Sequence, residues 1–392
     1  MALIESHAPA QPHRLWVVWL LFFFQFAGIG AYFAYQNIYY LEAGLSGTEI
    51  GIIGMTIALV SVASSVAWGY ISDRTGNPRL LMALGAVGSL VTAQFVPLVH
   101  EFYAFLGLAM VASFVYSAPA TLMDSTALAM LGDRREDYGK YRLGGTFGFI
   151  IASLSAGYLF DWLGLRVMFP FYAVIMAAFA GTALLLPALP THITAQARGD
   201  MGRLLRSWSW LIFSASVFLV WIGINASITF LAVALSHMGA NQSLIGIVAT
   251  SGAVVELPFM LFSGWFLRRY GPVRLLIVAM LLMISRFMLL GLMPAPEWAI
   301  FINGINGPAY VFFWNSAVTY ANKMAPPSMG GTVQGLLIAT TGLASVLSSL
   351  LTGWLFDRLG PNGMFQVMAV VVLAALLLFA GWRVMVRRAA AV

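Results

Sequence analysis

Long apolar stretches, each closed by a few polar residues, follow one another along the chain. A helix that crosses a bilayer needs about 20 mostly apolar residues. Stretches of that kind fall at 15–41, 48–71, 79–98, 102–131, 141–161, 167–188, 208–236, 243–267, 273–293, 298–322, 332–356 and 363–384. Their apolar residues run on rather than alternate, which selects helices over barrel strands. The pattern predicts an all-α integral membrane protein of twelve transmembrane helices. One long polar, basic connection lies at 189–207, with six helices on each side. It divides the chain into an N-terminal six-helix bundle (1–188), a cytoplasmic linker (189–207) and a C-terminal six-helix bundle (208–392).

The segment GYISDRTG (69–76) returns as GYLFDWLG (157–164), GWFLRRYG (264–271) and GWLFDRLG (353–360). Each copy reads Gly, three residues, a charge, two residues, Gly. The charge is Asp73, Asp161, Arg268 and Asp357 in turn. Copies one and three lie 195 residues apart and copies two and four 196, so the chain repeats over half its length. Within a half the offset is 88 or 89 residues, or three helices, which turns the second copy to the opposite membrane face. Two six-helix bundles, each an inverted three-plus-three repeat, is a plan used by transporters. The first Gly of a copy allows two helices to approach closely. The charge can meet a neighbouring helix end, and the last Gly suits the turn after a helix.

Composition sharpens the class. The chain is 61% hydrophobic and only 9% charged, against about 25% charged in soluble domains. With the N-terminus inside, 17 of the 20 Lys and Arg fall on the cytoplasmic side, Arg166 and Arg358 outside, and Arg286 within a span. That bias places both termini in the cytoplasm, across a cell inner or plasma membrane. The net charge of +6 is thereby an orienting signal and needs no nucleic acid. There is no Cys, which excludes disulfides and thiolate chemistry. The first apolar run is too long for a signal peptide and reads as a retained helix. The sequence offers no phosphate-binding loop, metal-ligand spacing or nucleophile–base pair, so neither an enzyme nor a cofactor is expected.

Four ionisable side chains fall inside the spans: Asp124, Arg142, Glu256 and Arg286. Each costs roughly 2.5–3.5 kcal/mol or more at a helix centre, so few persist without a role. Asp124 and Arg142 stand nine residues either side of Asp133 and so at similar depth. They form either a clamp for a polar solute or a structural bridge. Glu256 and Arg286 each lie 15 residues from Gly271, about 22 Å along their helices. A buried carboxyl can hold a proton at neutral pH, which makes this pair a candidate for proton coupling; the alternative is a neutralised pair that fixes packing. Amides and aromatics add a cavity signal: Gln25, Tyr32 and Asn37 in the first helix, Asn225 in the seventh, and Asn303, Asn306 and Trp314 in the tenth. Such groups suit a sugar, nucleoside or aromatic acid.

GYISDRTG resembles the signature between helices 2 and 3 of the major facilitator superfamily, through Gly69, Asp73, Arg74 and Gly76. AYFAYQNIYYLEAGLSGTEIGIIG and DYGKYRLGGTFGFIIAS resemble the branch of lactose permease and the 3-phenylpropionate transporters. That resemblance implies a cavity lined by helices 1, 4, 7 and 10. It also implies sugar contacts at Asp124 and Arg142, whose separation of 18 residues matches the branch. The His and Glu that serve proton coupling on helix 10 in that branch are replaced by Asn303 and Asn306, which take up no proton.

The expected function is secondary active transport, proton-linked uptake of a small organic solute by alternating access. Substrate contacts fall to Asp124, Arg142 and the amides, and proton coupling to Glu256 and Arg286. Alternatives are an uncoupled facilitator, efflux of hydrophobic compounds, or a non-transporting membrane sensor. The expected partners are the solute, protons and the lipid bilayer, with a monomeric assembly. Arg142→Lys keeps the charge but loses the guanidinium fork. It should abolish high-affinity binding in a thermal-shift panel of sugars, nucleosides and aromatic acids, whereas unchanged affinity would reduce the clamp to a structural bridge.

Overall fold

The computed structural model describes residues 15–187, 207–324 and 330–389. The predicted linker at 189–207 lies outside them except for Ser207. The regular elements among the described residues are all helical. They are α1 (Leu15–Glu42), α2 (Gly47–Thr75), α3 (Pro78–Phe95), α4 (Phe102–Leu131), α5 (Tyr138–Leu163) and α6 (Met168–Leu184). Then come α7 (Trp208–His237), α8 (Gln242–Leu261, continued by Ser263–Tyr270), α9 (Pro272–Leu292) and α10 (Ala299–Gly304 with Asn306–Met324). A last run, Gly330–Ala389, breaks at Gly360 (φ 67°, ψ 179°) into α11 before the break and α12 after it.

Ten of these helical stretches are long and apolar enough to cross a membrane. The α11–α12 run counts once among them, and α10 falls outside because it is divided at Ile305 and rich in Asn. Pro308 explains that division, since it has no N–H for the carbonyl four residues back. Pro258 lies inside the first segment of α8, which runs unbroken to Leu261. Helix α1 carries a π-helical turn at Ile29–Phe33, a local widening often found at functional sites.

The last glycine of every octapeptide copy adopts the left-handed turn its position predicts. Gly76, Gly164, Gly271 and Gly360 have φ of 63°, 84°, 75° and 67°. An L side chain there would strain each turn.

The helices form two compact units: residues 15–36 with 59–187, and residues 37–58 with 207–324 and 330–389. The expected bundle boundary keeps 37–58 with the N-terminal helices, whereas its contacts group it with α7 and α11. In the first unit α1 lies along α5, and α3 lies between α4 and α6. In the second, α7 packs on α11 and α12, α9 on α10 and α12, and α8 on α10.

Glycine sets the α1–α5 distance. A Cβ on Gly148 would run into the Phe23 main chain, and one on Gly144 would lie 2.5 Å from the Trp19 carbonyl. From the other side, a Cβ on Gly30 would lie 2.8 Å from the Phe149 carbonyl. The Tyr35 hydroxyl then donates to the Ser153 carbonyl at 3.1 Å. Gly148→Leu should force α1 and α5 apart and lower the thermal unfolding midpoint sharply, since overpacking typically costs about 1–3 kcal/mol or more. Gly181→Ala, where a Cβ meets open space, should leave the midpoint unchanged in the same fluorimetric scan.

Candidate functional site

The first polar group sits where α4, α5 and α1 meet. The close approach of α5 to α1 puts the Arg142 guanidinium over the Phe26 ring, 4.4 Å from its centroid, and 5.4 Å from that of Phe22. Gly145 makes room for this, because a Cβ there would lie 2.8 Å from the Phe26 ring. Tyr138 is four residues before Arg142 and so on the same helix face. Its hydroxyl donates to Asp124 Oδ1 at 2.8 Å, its ring meets Phe22 edge-on, and Arg142 lies near the same phenol oxygen. Asp124 is exposed, while Tyr138 and Arg142 are half-buried. The expected carboxylate–guanidinium pair is therefore a carboxylate, a phenol and a guanidinium in sequence. Tyr138 was missed by sequence reasoning, although its spacing from Arg142 would have pointed to it.

A second group in the same unit surrounds the π-helical turn. Tyr32 stacks on Tyr172 with centroids 4.5 Å apart, and the Tyr172 hydroxyl bonds the Ser89 hydroxyl at 2.6 Å. Gln25 is buried and faces Tyr116, and its Oε1 has no hydrogen-bond partner among the described residues.

The second unit holds a buried cation. Arg286 is 3% exposed. Its Nη2 donates to Ser227 Oγ at 2.7 Å and to Asn303 Oδ1 at 2.8 Å. The Asn303 amide in turn donates to the Val248 carbonyl at 2.7 Å. Gly252 admits that amide, since a Cβ there would lie 2.8 Å from its nitrogen. Asn303, expected to touch substrate, thus serves as acceptor for Arg286 and ties α7, α8, α9 and α10 at one node. Glu256 is half-buried against α10, where a Cβ on Gly307 would lie 2.7 Å from the Glu256 amide nitrogen. Asn306 begins the second segment of α10 and is half-buried.

Asn225 reaches α11, its amide donating to the Ser345 carbonyl and Ser349 Oγ at 3.4 Å each. The indole of Trp221 donates to Ser345 Oγ at 2.9 Å and lies 5.5 Å from Trp314. Trp221 and Ser345 carry this cluster and were not singled out from sequence. Asn37 donates to the Thr229 carbonyl at 2.8 Å. In the conformational motif, Asp73 is exposed and Arg74 reaches the Tyr70 hydroxyl at 3.4 Å. A Cβ on Gly69 would meet open space.

A cavity of about 410 Å³ opens at the α9–α10 turn, among Leu292, Met293, Trp298, Phe301 and Ile305. Apart from the Trp298 indole its lining is aliphatic or phenyl, so it offers little to orient a polar solute.

Helices built to cross a bilayer, with ionisable and amide groups held within them, define a multi-pass membrane transporter. The chain belongs to the MFS_1 like family, whose profile matches residues 15–380. It is 28% identical to the maltose permease of Geobacillus stearothermophilus, over 92% of this chain and 93% of that one. It is 22% identical to the raffinose permease of Escherichia coli, over 91% and 90%. Among solved structures, the nucleoside transporter NupG superposes with a TM-score of 0.83, covering 94% of this chain and 98% of that one. At 19% identity this likeness speaks to the fold alone.

The Arg286 node gives a direct stability test. Asn303→Leu removes one acceptor from a buried cation and should lower stability by about 3–5 kcal/mol, read as a fall in the thermal midpoint. Ser227→Ala should cost less, about 1–3 kcal/mol. A double change of Arg286 and Asn303 to Leu should recover part of the loss.

Proposed function

We propose that this chain is a secondary active transporter that takes up a neutral sugar, linked to protons, by alternating access. The carrying observation is the Asp124–Tyr138 hydrogen bond beside Arg142, inside two membrane-spanning helices. A sugar hydroxyl donates to a carboxylate and accepts from a guanidinium, so the pair matches the two faces of one polyol. The full-length likeness to a maltose permease favours a sugar over the nucleoside or aromatic acid that the same groups could hold. Twelve crossings in two six-helix bundles, with both termini in the cytoplasm, follow from the repeat and the charge bias. The inner or plasma membrane is the corresponding site.

Glu256 is our candidate for the proton. It lies within a membrane-spanning helix, and a carboxyl there is costly unless it serves a function. Arg286, tied to Ser227 and Asn303, then acts as the fixed charge of that half.

Purified protein in proteoliposomes tests both parts. Labelled maltose should show counterflow, and an inside-alkaline pH gradient should drive its accumulation. Asp124→Asn should lose both activities. Glu256→Gln should keep counterflow and lose accumulation. Counterflow of uridine without maltose would move the reading to a nucleoside, and counterflow of neither would remove uptake of both classes.

A further inference from the structure

The fourth octapeptide copy reaches across the second unit to the start of α2. The first N–H groups of a helix have no partner within it. At α2 the local sequence satisfies only part of that need. Ser46 Oγ accepts from the Glu49 N–H at 3.2 Å, and Glu49 Oε2 accepts from the Ser46 N–H at 2.8 Å, a reciprocal cap. Gly47 and Thr48 remain. Their N–H groups donate to Asp357 Oδ1 and Oδ2, at 2.7 Å each, and the Thr48 hydroxyl donates to Oδ2 as well. One carboxylate, 309 and 310 positions away in sequence, completes the cap.

The backbone geometry is built for that reach. A Cβ on Gly47 would lie 2.7 Å from Asp357 Oδ1 and 2.9 Å from the Gly353 carbonyl. One on Gly51 would lie 2.5 Å from the Ser349 carbonyl, and one on Gly353 would collide with the Gly47 carbonyl. Asn37, on the α1 side of the same turn, holds the Thr229 carbonyl of α7. These contacts account for the grouping of 37–58 with the second unit.

We propose that Asp357 is a clasp. Its carboxylate serves as the missing N-terminal cap of α2, holds the 37–58 tip on α11, and is released and remade in each transport cycle. The charge is suited to this, because a carboxylate is favoured at the positive end of a helix. Release uncovers three donors that water can satisfy, since Gly47 and Thr48 lie at a helix end and Asp357 is exposed. The glycine face makes the docked state close-fitting without a side chain to withdraw. The release step rests on the transport reading above; the clasp itself does not.

The absence of Cys makes the test clean. Ala43→Cys and Leu359→Cys, both at exposed positions, carry spin labels on the full-length protein in nanodiscs, and double electron–electron resonance gives their separation. With Asp357 present, the short distance should dominate. Asp357→Ala should shift the open-to-closed ratio by about tenfold toward longer distances, the effect of losing a charged hydrogen-bond acceptor. Asp357→Asn, which keeps the shape but turns an N–H₂ toward donors, should behave similarly and guards against a folding defect. Thr48→Val, which removes one of the three bonds, should shift the ratio less. Distributions that superimpose for the parent, Asp357→Ala and Asp357→Asn would overturn the clasp. Solute flux on the same samples separates the two ideas. Flux with unchanged distances rejects the clasp alone, and parted tips without flux keep the clasp and remove its place in a transport cycle.

Discussion

Backbone-to-backbone contact at glycine is the constraint on which the other features depend. In a bilayer the lipid tails are as apolar as leucine, so burying apolar side chains does little to join helices. Close approach and interhelical hydrogen bonds must do it instead. In the first unit Gly144, Gly148 and Gly30 bring α1 and α5 to main-chain contact. In the second, Gly291 receives the Gln366 side chain, Gly307 passes the backbone of Glu256, and Gly353 meets Gly47. Several of the polar groups described above are placed by close approaches of this kind. Arg142 covers Phe26 because Gly145 leaves the ring free. Asp357 reaches α2 because Gly353 and Gly47 have no side chains between them.

Arg286 and Asp124, two of the ionisable groups inside the spans, meet the same electrostatic problem differently. Arg286 is sealed, and its hydrogen bonds run to a hydroxyl on α7 and an amide oxygen on α10. Removing either leaves a buried cation short of an acceptor, so this node resists change. Asp124 is exposed and bonds to one phenol on a half-buried side chain. Exchanging a neutral hydroxyl donor for another hydroxyl costs little net free energy, because intramolecular and competing hydrogen bonds are nearly matched. A polar solute can therefore compete with Tyr138 for Asp124, whereas no comparable exchange is open at Arg286. This contrast supports the proposed division, with substrate recognition at Asp124 and a fixed charge at Arg286.

The helical class, the positions of the helices and the four left-handed glycines were legible because each depends on local properties: length, hydropathy and a required φ. The depth match of Asp124 and Arg142 was legible from counting residues. Tyr138 between them was legible in principle, from its spacing of four to Arg142, but a tyrosine near a helix end also reads as an interface anchor. Partner choice was not legible. Asn303 stood among the amides of a cavity, yet its oxygen goes to Arg286 because Gly252 lets α10 approach α8. That outcome depends on which helix faces which, and sequence spacing alone does not carry it.

The repeat makes the same point at the level of the whole chain. Copies one and four of the octapeptide share both glycines, an aspartate and an arginine after it. In copy four the first Gly is in main-chain contact and the Asp caps a helix; in copy one the first Gly faces open space and the Asp is exposed. Identical local chemistry therefore occupies two different contexts in one conformation. Both copies turn at a glycine of positive φ, which the local sequence dictates, while the partner each charge meets is set by the helices packed around it.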